Sequence, residues 1–195
     1  MESVPDSPVH DADPTWSTLD AASKRTRILD AAEAVFTAHG FEATMPQVAS
    51  AAGAGVGSLY RQFPSKEALV EALAVRRLET IVPMIAEATA HDDAWDGLRR
   101  LVDTLLGDDA DDPVSARAVA ARPQGASVAE ARGRAHAALQ ALLDAGKRQG
   151  TVRADATHVD FIILIRSARA VRDAAPGAWQ RCVTLMLDGL RPPRA

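Results

Sequence analysis

Residues 44–63 read TMPQVASAAGAGVGSLYRQF, and the fold turns on whether this stretch is two short helices or a glycine-rich loop. Thr44 followed three residues later by Gln47 fits a capping box, and Pro46 is tolerated in a first turn that needs no intrahelical donor. A helix is therefore expected to start here. Val48, Ala49 and Ala52 give it a small apolar face, and Gly53 stands where a helix end calls for a left-handed backbone. A second helix is expected over about 55–63.

At roughly 100° per residue, Val56, Leu59 and Phe63 share one side of that second helix, with Tyr60 at its edge. These four are expected to pack inward. Gly57, Ser58, Arg61 and Gln62 are left facing out. One cation, one amide, one hydroxyl and one glycine make a donor-rich flank with room for close approach, which suits the grooves of a nucleic acid. The same set also suits an ordinary solvated helix face.

More widely, residues 26–73 read TRILDAAEAVFTAHGFEATMPQVASAAGAGVGSLYRQFPSKEALVEAL. Ile28, Ala31, Ala32, Phe36, Gly40 and Phe41 form one part of a pattern. Thr44, Ala52, Gly53, Leu59, Tyr60, Phe63, Ser65, Lys66 and Glu67 form the rest. With them the stretch, roughly a quarter of the chain, resembles the N-terminal domain of the TetR (tetracycline repressor) family of bacterial transcriptional regulators.

The resemblance implies an all-α protein, with an N-terminal three-helix helix-turn-helix domain and a C-terminal helical domain for effector binding and dimerisation. It implies a repressor that binds a palindromic double-stranded DNA operator as a homodimer and is released by a small organic effector. The expected domains are an acidic disordered tail over 1–22, the DNA-binding domain over 23–67, the effector and dimerisation domain over 68–190, and a tail over 191–195. Carried onto this chain, Thr44, Tyr60 and Lys66 are expected at phosphates, and Val56, Gly57, Ser58 and Gln62 nearest the bases. Arg61 stays open between the two roles, and Met45, Pro46 and Gly55 complete the surface.

Two positions depart from the pattern. Where many relatives carry valine then serine, this chain has Ala54 and Gly55, so glycine caps the second helix and offers no hydroxyl to a phosphate. Val56 replaces a polar residue at the helix start; it can touch a thymine methyl but cannot hydrogen-bond a base edge. The operator sequence does not follow by analogy.

Composition sets wider bounds. A chain of 195 residues with 47% hydrophobic content can bury one or two modest cores. Long alanine-rich periodic segments point to helices packed on helices. The single cysteine, Cys182, excludes an intramolecular disulfide, and no charged-then-apolar leader opens the sequence, so a cytoplasmic location is expected. The longest apolar run, over 159–165, is interrupted by Asp160 and is short of the roughly 20 residues a membrane span needs. Bulk charge does not by itself suggest nucleic acid: the net charge is -4, and residues 21–67 carry only +1. The first twenty residues hold five acidic residues, three prolines and no Lys or Arg, a composition that repels DNA. Lys24, Arg25 and Arg27 are the cations able to reach phosphates from this end.

Breakers divide the remainder into helices. The expected set is 23–39, a long connector after Pro64 that carries Leu69, Leu73, Ile81 and Ile85, then 95–106, 114–121, 127–149, 158–174 and 178–190. Pro83 is expected to kink the connector or end it early. Phe161, Ile162, Ile165 and Ala168 on one of the last two helices, with Cys182, Val183, Leu185 and Met186 on the other, offer more apolar surface than one layer needs. By resemblance these helices pair with their copies, and Phe161, Ile165, Ala168, Cys182, Val183, Leu185 and Met186 are the expected interface. The alternative is a self-contained core.

The resemblance also implies an effector pocket. Its expected wall residues are Met84, Trp95, Leu101, Leu105, Val119, His136, Leu139, Leu143, Ile162 and Arg166. Aromatic content of 4% argues against a cage of stacked rings, while His136 and Arg166 could orient a carboxylate or carbonyl; both also suit a solvated or paired side chain at a helix edge. Among other classes, a dinucleotide-binding turn is rejected at 53–58 because Ser58 stands where a third glycine belongs and no strand precedes it. An enzyme is the main rival, yet histidines are scattered and no GxSxG or metal-spaced cluster occurs. His91, Asp92, Asp93 and Asp96 read as a helix start rather than a cation site, and Cys182 as packing rather than a sensor. No cofactor or metal is expected.

Overall fold

A carboxylate begins the first helix. In the computed structural model, which describes residues 15–107, 113–121, 123–175 and 177–193, Asp20 accepts a hydrogen bond from the Ser23 backbone N–H at 2.7 Å and caps α1 (Ala21–His39). A 3-10 turn, Trp16–Thr18, precedes it. Ordered backbone thus reaches into the segment expected as a tail, because Asp20 satisfies an amide that would otherwise lack a partner. Residues 1–14 of that expected tail lie outside the described residues. Gly40, at φ 69, closes α1 with its N–H on the Phe36 carbonyl.

Next comes α2 (Met45–Ala51), with the capping box at its start. The Gln47 side chain takes the Thr44 backbone N–H at 2.7 Å and the Thr44 hydroxyl at 2.9 Å. Gly53 follows at φ 65, a left-handed conformation that a side chain at this position would strain. Gly55 then caps α3 (Val56–Gln62). Ile28, Ala32 and Phe36 of α1, Val48 and Ala49 of α2, and Leu59 and Phe63 at α3 are each at most 2% exposed. These, with Leu69, belong to a compact unit, Met1–Leu69.

The second unit is Val70–Ala195. The connector α4 (Lys66–Thr89) begins in the first unit and continues into the second, running past Pro83 without ending there. Proline removes the donor that would have reached the Glu79 carbonyl. After it come α5 (Ala94–Leu106), α6 (Pro113–Ala120), α7 (Ala126–Arg148), α8 (His158–Ala174) and α9 (Trp179–Leu190). Their core gathers Ile85, Leu98, Leu101, Val102, Leu106, Leu142, Leu143, Phe161, Leu164, Ala168, Val183 and Leu187.

Two contacts fix the corner between α4 and α5. Gly97 lies so close to the end of α4 that an added Cβ would sit 2.1 Å from the Ala88 carbonyl oxygen. Gln149, at the end of α7, donates its amide N–H to the Asp92 carbonyl at 2.7 Å and accepts from the Ala94 N–H at 2.8 Å. Asp93 caps α5 on the Trp95 N–H at 2.8 Å and Asp96 pairs with Arg99 at 3.9 Å, so these two carboxylates serve the helix start. Among the described residues there is no strand, no helix long and apolar enough to cross a membrane, and no cluster of metal-binding side chains.

Candidate nucleic-acid interface and effector cavity

The buried side of α3 is narrower than its periodicity suggests. Leu59 and Phe63 are at most 1% exposed, but Val56 is 43% and Tyr60 44% exposed. The inward placement expected for Val56 and Tyr60 is therefore corrected: Val56 is the first residue of the helix and sits one turn short of the anchoring Leu59, while Tyr60 falls past the edge of the anchored side. Phe63 is further fixed by the Arg25 guanidinium, 4.5 Å above its ring. An exposed flank remains, formed by Val56, Gly57, Tyr60 and Arg61, with Ser58 and Gln62 half-buried beside it.

Arg61 folds back along its own helix and donates to the Ser58 hydroxyl at 2.7 Å. It passes beside Gly57, where an added Cβ would meet the guanidinium at an ordinary contact distance of 3.8 Å. The flank thus holds a preset cation–hydroxyl pair. Pro46 and Gly55 are exposed near it. Met45 is 6% exposed; its side chain belongs to the core of the first unit, which corrects its expected place on the DNA surface.

Two of the expected phosphate contacts already have partners. Thr44 is exposed, but its hydroxyl proton and backbone N–H both go to Gln47. The Lys66 ammonium donates to the Phe41 carbonyl and lies 5.9 Å from the Phe36 ring centroid. Lysine keeps further donors after that bond. The half-buried side chain ties the turn after α1 to the start of α4.

The second unit contains a cavity of about 490 Å³. Leu105, Val119, His136, Leu139, Ile162 and Arg166 line it. The other four expected wall residues do not. Leu101 and Leu143 are buried in the helix core, Met84 packs against that core, and Trp95 lies under the Arg191 guanidinium, 3.8 Å from its ring centroid. Core and wall positions share one helical periodicity, so spacing alone does not separate them. Sequence reasoning also passed over Arg77, Arg132, His158 and Arg169, which line the cavity from α4, α7 and α8. Each reads singly as a solvated helix residue, and only their convergence from three helices marks them.

The His136 and His158 rings stack with centroids 4.6 Å apart. Partial burial, then His158, then Arg132 hold the His136 pKa below its ordinary value. His158 is also held by Gln140, whose carbonyl oxygen accepts from the His158 backbone N–H at 3.1 Å.

The expected interface residues divide by helix face. Phe161, Ile165 and Ala168 of α8 and Val183 of α9 are at most 9% exposed and belong to the protomer's own core. Their assignment to the dimer surface is corrected. On α8 the outward apolar stripe is offset by two residues, about 200°, and carries Val159 and Ile163, each 50% exposed. On α9, Leu185 is 54% exposed. Cys182 and Met186 are half-buried beside it, with Sγ and Sδ 3.8 Å apart.

Comparison with known proteins matches both units. Residues 28–73 match the family model described as bacterial regulatory proteins, tetR family, and residues 93–192 match that of the transcriptional regulator SbtR-like C-terminal domain. The HTH-type transcriptional regulator UidR of Escherichia coli is 36% identical over 69 residues, which are 35% of each chain. The chain thus spans about a third of that curated relative's length. Among solved structures, a TetR transcription regulatory protein from Mycobacterium vanbaalenii is 32% identical, with 88% of this chain and 97% of that one covered and a TM-score of 0.60. The TetR transcriptional regulator SCO0520 from Streptomyces coelicolor is 30% identical, with 87% and 99% covered and a TM-score of 0.59.

Proposed function

The chain belongs to the TetR family of DNA-binding transcriptional regulators, and from that premise we propose that it is a repressor released from a palindromic operator by a small organic effector. One observation supports the reading most: α4 starts in the unit that carries α3, and its later turns, through Arg77, Leu78, Ile81 and Ile85, form part of the cavity wall. A ligand that favours one position of those turns acts on the same helix that leaves the DNA-reading unit.

In this reading the exposed flank of α3 enters the major groove. Val56, Gly57, Ser58 and Gln62 lie nearest the bases, with Arg61 steering Ser58. Thr44, Tyr60 and Lys66 take phosphates, and the Thr44 hydroxyl turns away from Gln47 to do so. Two copies pair through Val159, Ile163 and Leu185, giving two reading heads for half-sites about 34–36 Å apart. Effector and operator favour different arrangements of the dimer, so each lowers the other's affinity by the same factor. The cytoplasm is the place for such a protein.

The test is selection of duplexes from a randomised pool, followed by anisotropy titrations with the selected site. A palindromic preference that is lost on adding fractionated metabolites supports the proposal. Affinity with no sequence preference rejects the operator, and an operator complex indifferent to every small-molecule fraction favours a TetR-fold regulator governed by a protein partner or by its own concentration.

A further inference from the structure

Among the described residues, the charged part of the cavity wall has one sign. Arg77, Arg132, Arg166 and Arg169 line it together with His136 and His158, and no aspartate or glutamate is among the described lining residues. Two of the arginines are held by backbone carbonyls: Arg169 donates to Leu105 at 3.1 Å and Arg132 to Pro123 at 3.4 Å. A carbonyl orients a guanidinium without cancelling its charge. Arg77 enters the wall from α4, and its Nε is buried with no hydrogen-bond partner among the described residues. That nitrogen is closed off from the cavity, so the donors Arg77 can offer there are its terminal guanidinium nitrogens.

The rest of the wall is apolar, with Leu78, Ile81, Ile85, Leu105, Leu139 and Phe161 contributed by four helices. Uneven distribution of this kind selects a molecule with two parts. A cation would meet four guanidiniums. A neutral hydrocarbon would match the apolar wall but not its cationic side, and a small inorganic anion would leave the apolar wall unfilled.

We propose that this cavity binds an organic monocarboxylate, its head among Arg77, Arg132 and His136 and its uncharged apolar body against the aliphatic wall. This deepens the ligand-control reading above and rests on it for biological meaning, though not for the binding itself. The head accepts charge-assisted hydrogen bonds in the bidentate form that guanidinium favours. A volume of about 490 Å³ lies within the range of roughly 300–1,000 Å³ that holds ligands of this size.

The test is isothermal titration of the full chain, without DNA, using decanoate, 1-naphthoate, decan-1-ol and decylamine as probes. At least one carboxylate is expected to bind one per protomer with Kd below about 1 mM, and decanoate or naphthoate to exceed the alcohol and the amine about tenfold or more. Arg77→Gln and, as a second variant away from α4, Arg132→Gln are each expected to remove most of that preference while alcohol binding stays unchanged. The proposal is overturned if neither carboxylate binds, if alcohol or amine binds as tightly, or if both folded variants keep the full preference. A carboxylate that binds as expected but leaves the operator complex intact supports the proposed ligand class and refutes ligand control, so the two failures are distinguishable.

Discussion

Replacing Gly97 with alanine should destabilise the second unit, although helix propensity alone predicts the reverse. Within a helix, alanine is favoured over glycine by about 1 kcal/mol. At this position the new Cβ would lie 2.1 Å from the Ala88 carbonyl oxygen, whereas ordinary contact begins near 3.4 Å, so α4 and α5 would have to part by about 1.3 Å. The obstructing atom belongs to the backbone and has no rotamer in which to escape. Around it, Ala88, Ala94, Trp95 and Leu98 are at most 7% exposed, so the opening spreads into packed core. Overpacking of this kind costs about 1–3 kcal/mol, and a backbone collision belongs at the upper end. The net loss is then about 2 kcal/mol, which lowers Tm by about 6–10 °C in a unit of this size. Gly133→Ala is the control: it lies within α7, is exposed, and has nothing within 4 Å of the added atom. That variant should gain up to about 1 kcal/mol. Thermal melts by circular dichroism and urea midpoints measure both. If Gly97→Ala unfolds at or above the wild-type temperature, the close approach of α4 and α5 is refuted.

Tyr60→Ala should weaken all operator sequences alike, by about tenfold, whereas Gln62→Ala should change base preference; a Tyr60 variant with altered preference would reverse the two roles. Leu185→Glu places a charge on the outward face of α9 and should leave monomers at concentrations where wild type sediments as a dimer; an unchanged sedimentation coefficient counts against this face as the interface. His136 contributes to pH dependence with a defined sign. Its folded pKa lies below the ordinary 6.5, so the unfolded chain binds more protons and stability rises with pH through that window. The contribution is present above about pH 6.5 and declines as pH falls toward the lowered value. His136→Gln should flatten the urea midpoint between about pH 7.5 and 5.5, and an unchanged slope would remove the assignment.

Local rules read well from the chain. Thr44, Gln47 and Gly53 announced the turn between α2 and α3 because capping and left-handed glycine depend on a few neighbouring residues. The bounds of α8 follow from its apolar period and the breakers on either side, and Thr157 caps its start. Placement in three dimensions was harder. On α8, two apolar stripes lie on opposite flanks, and periodicity does not say which belongs to the protomer and which to solvent; Phe161 and Ile165 fit either side, and Val159 and Ile163 are the exposed pair. A helical wheel turns Val56 inward, but as the first residue of α3 it remains 43% exposed. The cavity was half legible for a similar reason. An arginine such as Arg77 is ordinary in its own helix, and its chemistry emerges only beside Arg132 and His136 from another.

The Gln149 amide has a consequence for proton exchange. Ala94 opens α5, and a first-turn N–H normally trades its proton with water because the helix supplies no acceptor. Here that proton is shielded by a side chain fifty-five positions away in sequence. Its release requires the Gln149 side chain to swing away, so the deuteration rate of one amide at the head of α5 reports the opening of a contact made from the end of a different helix.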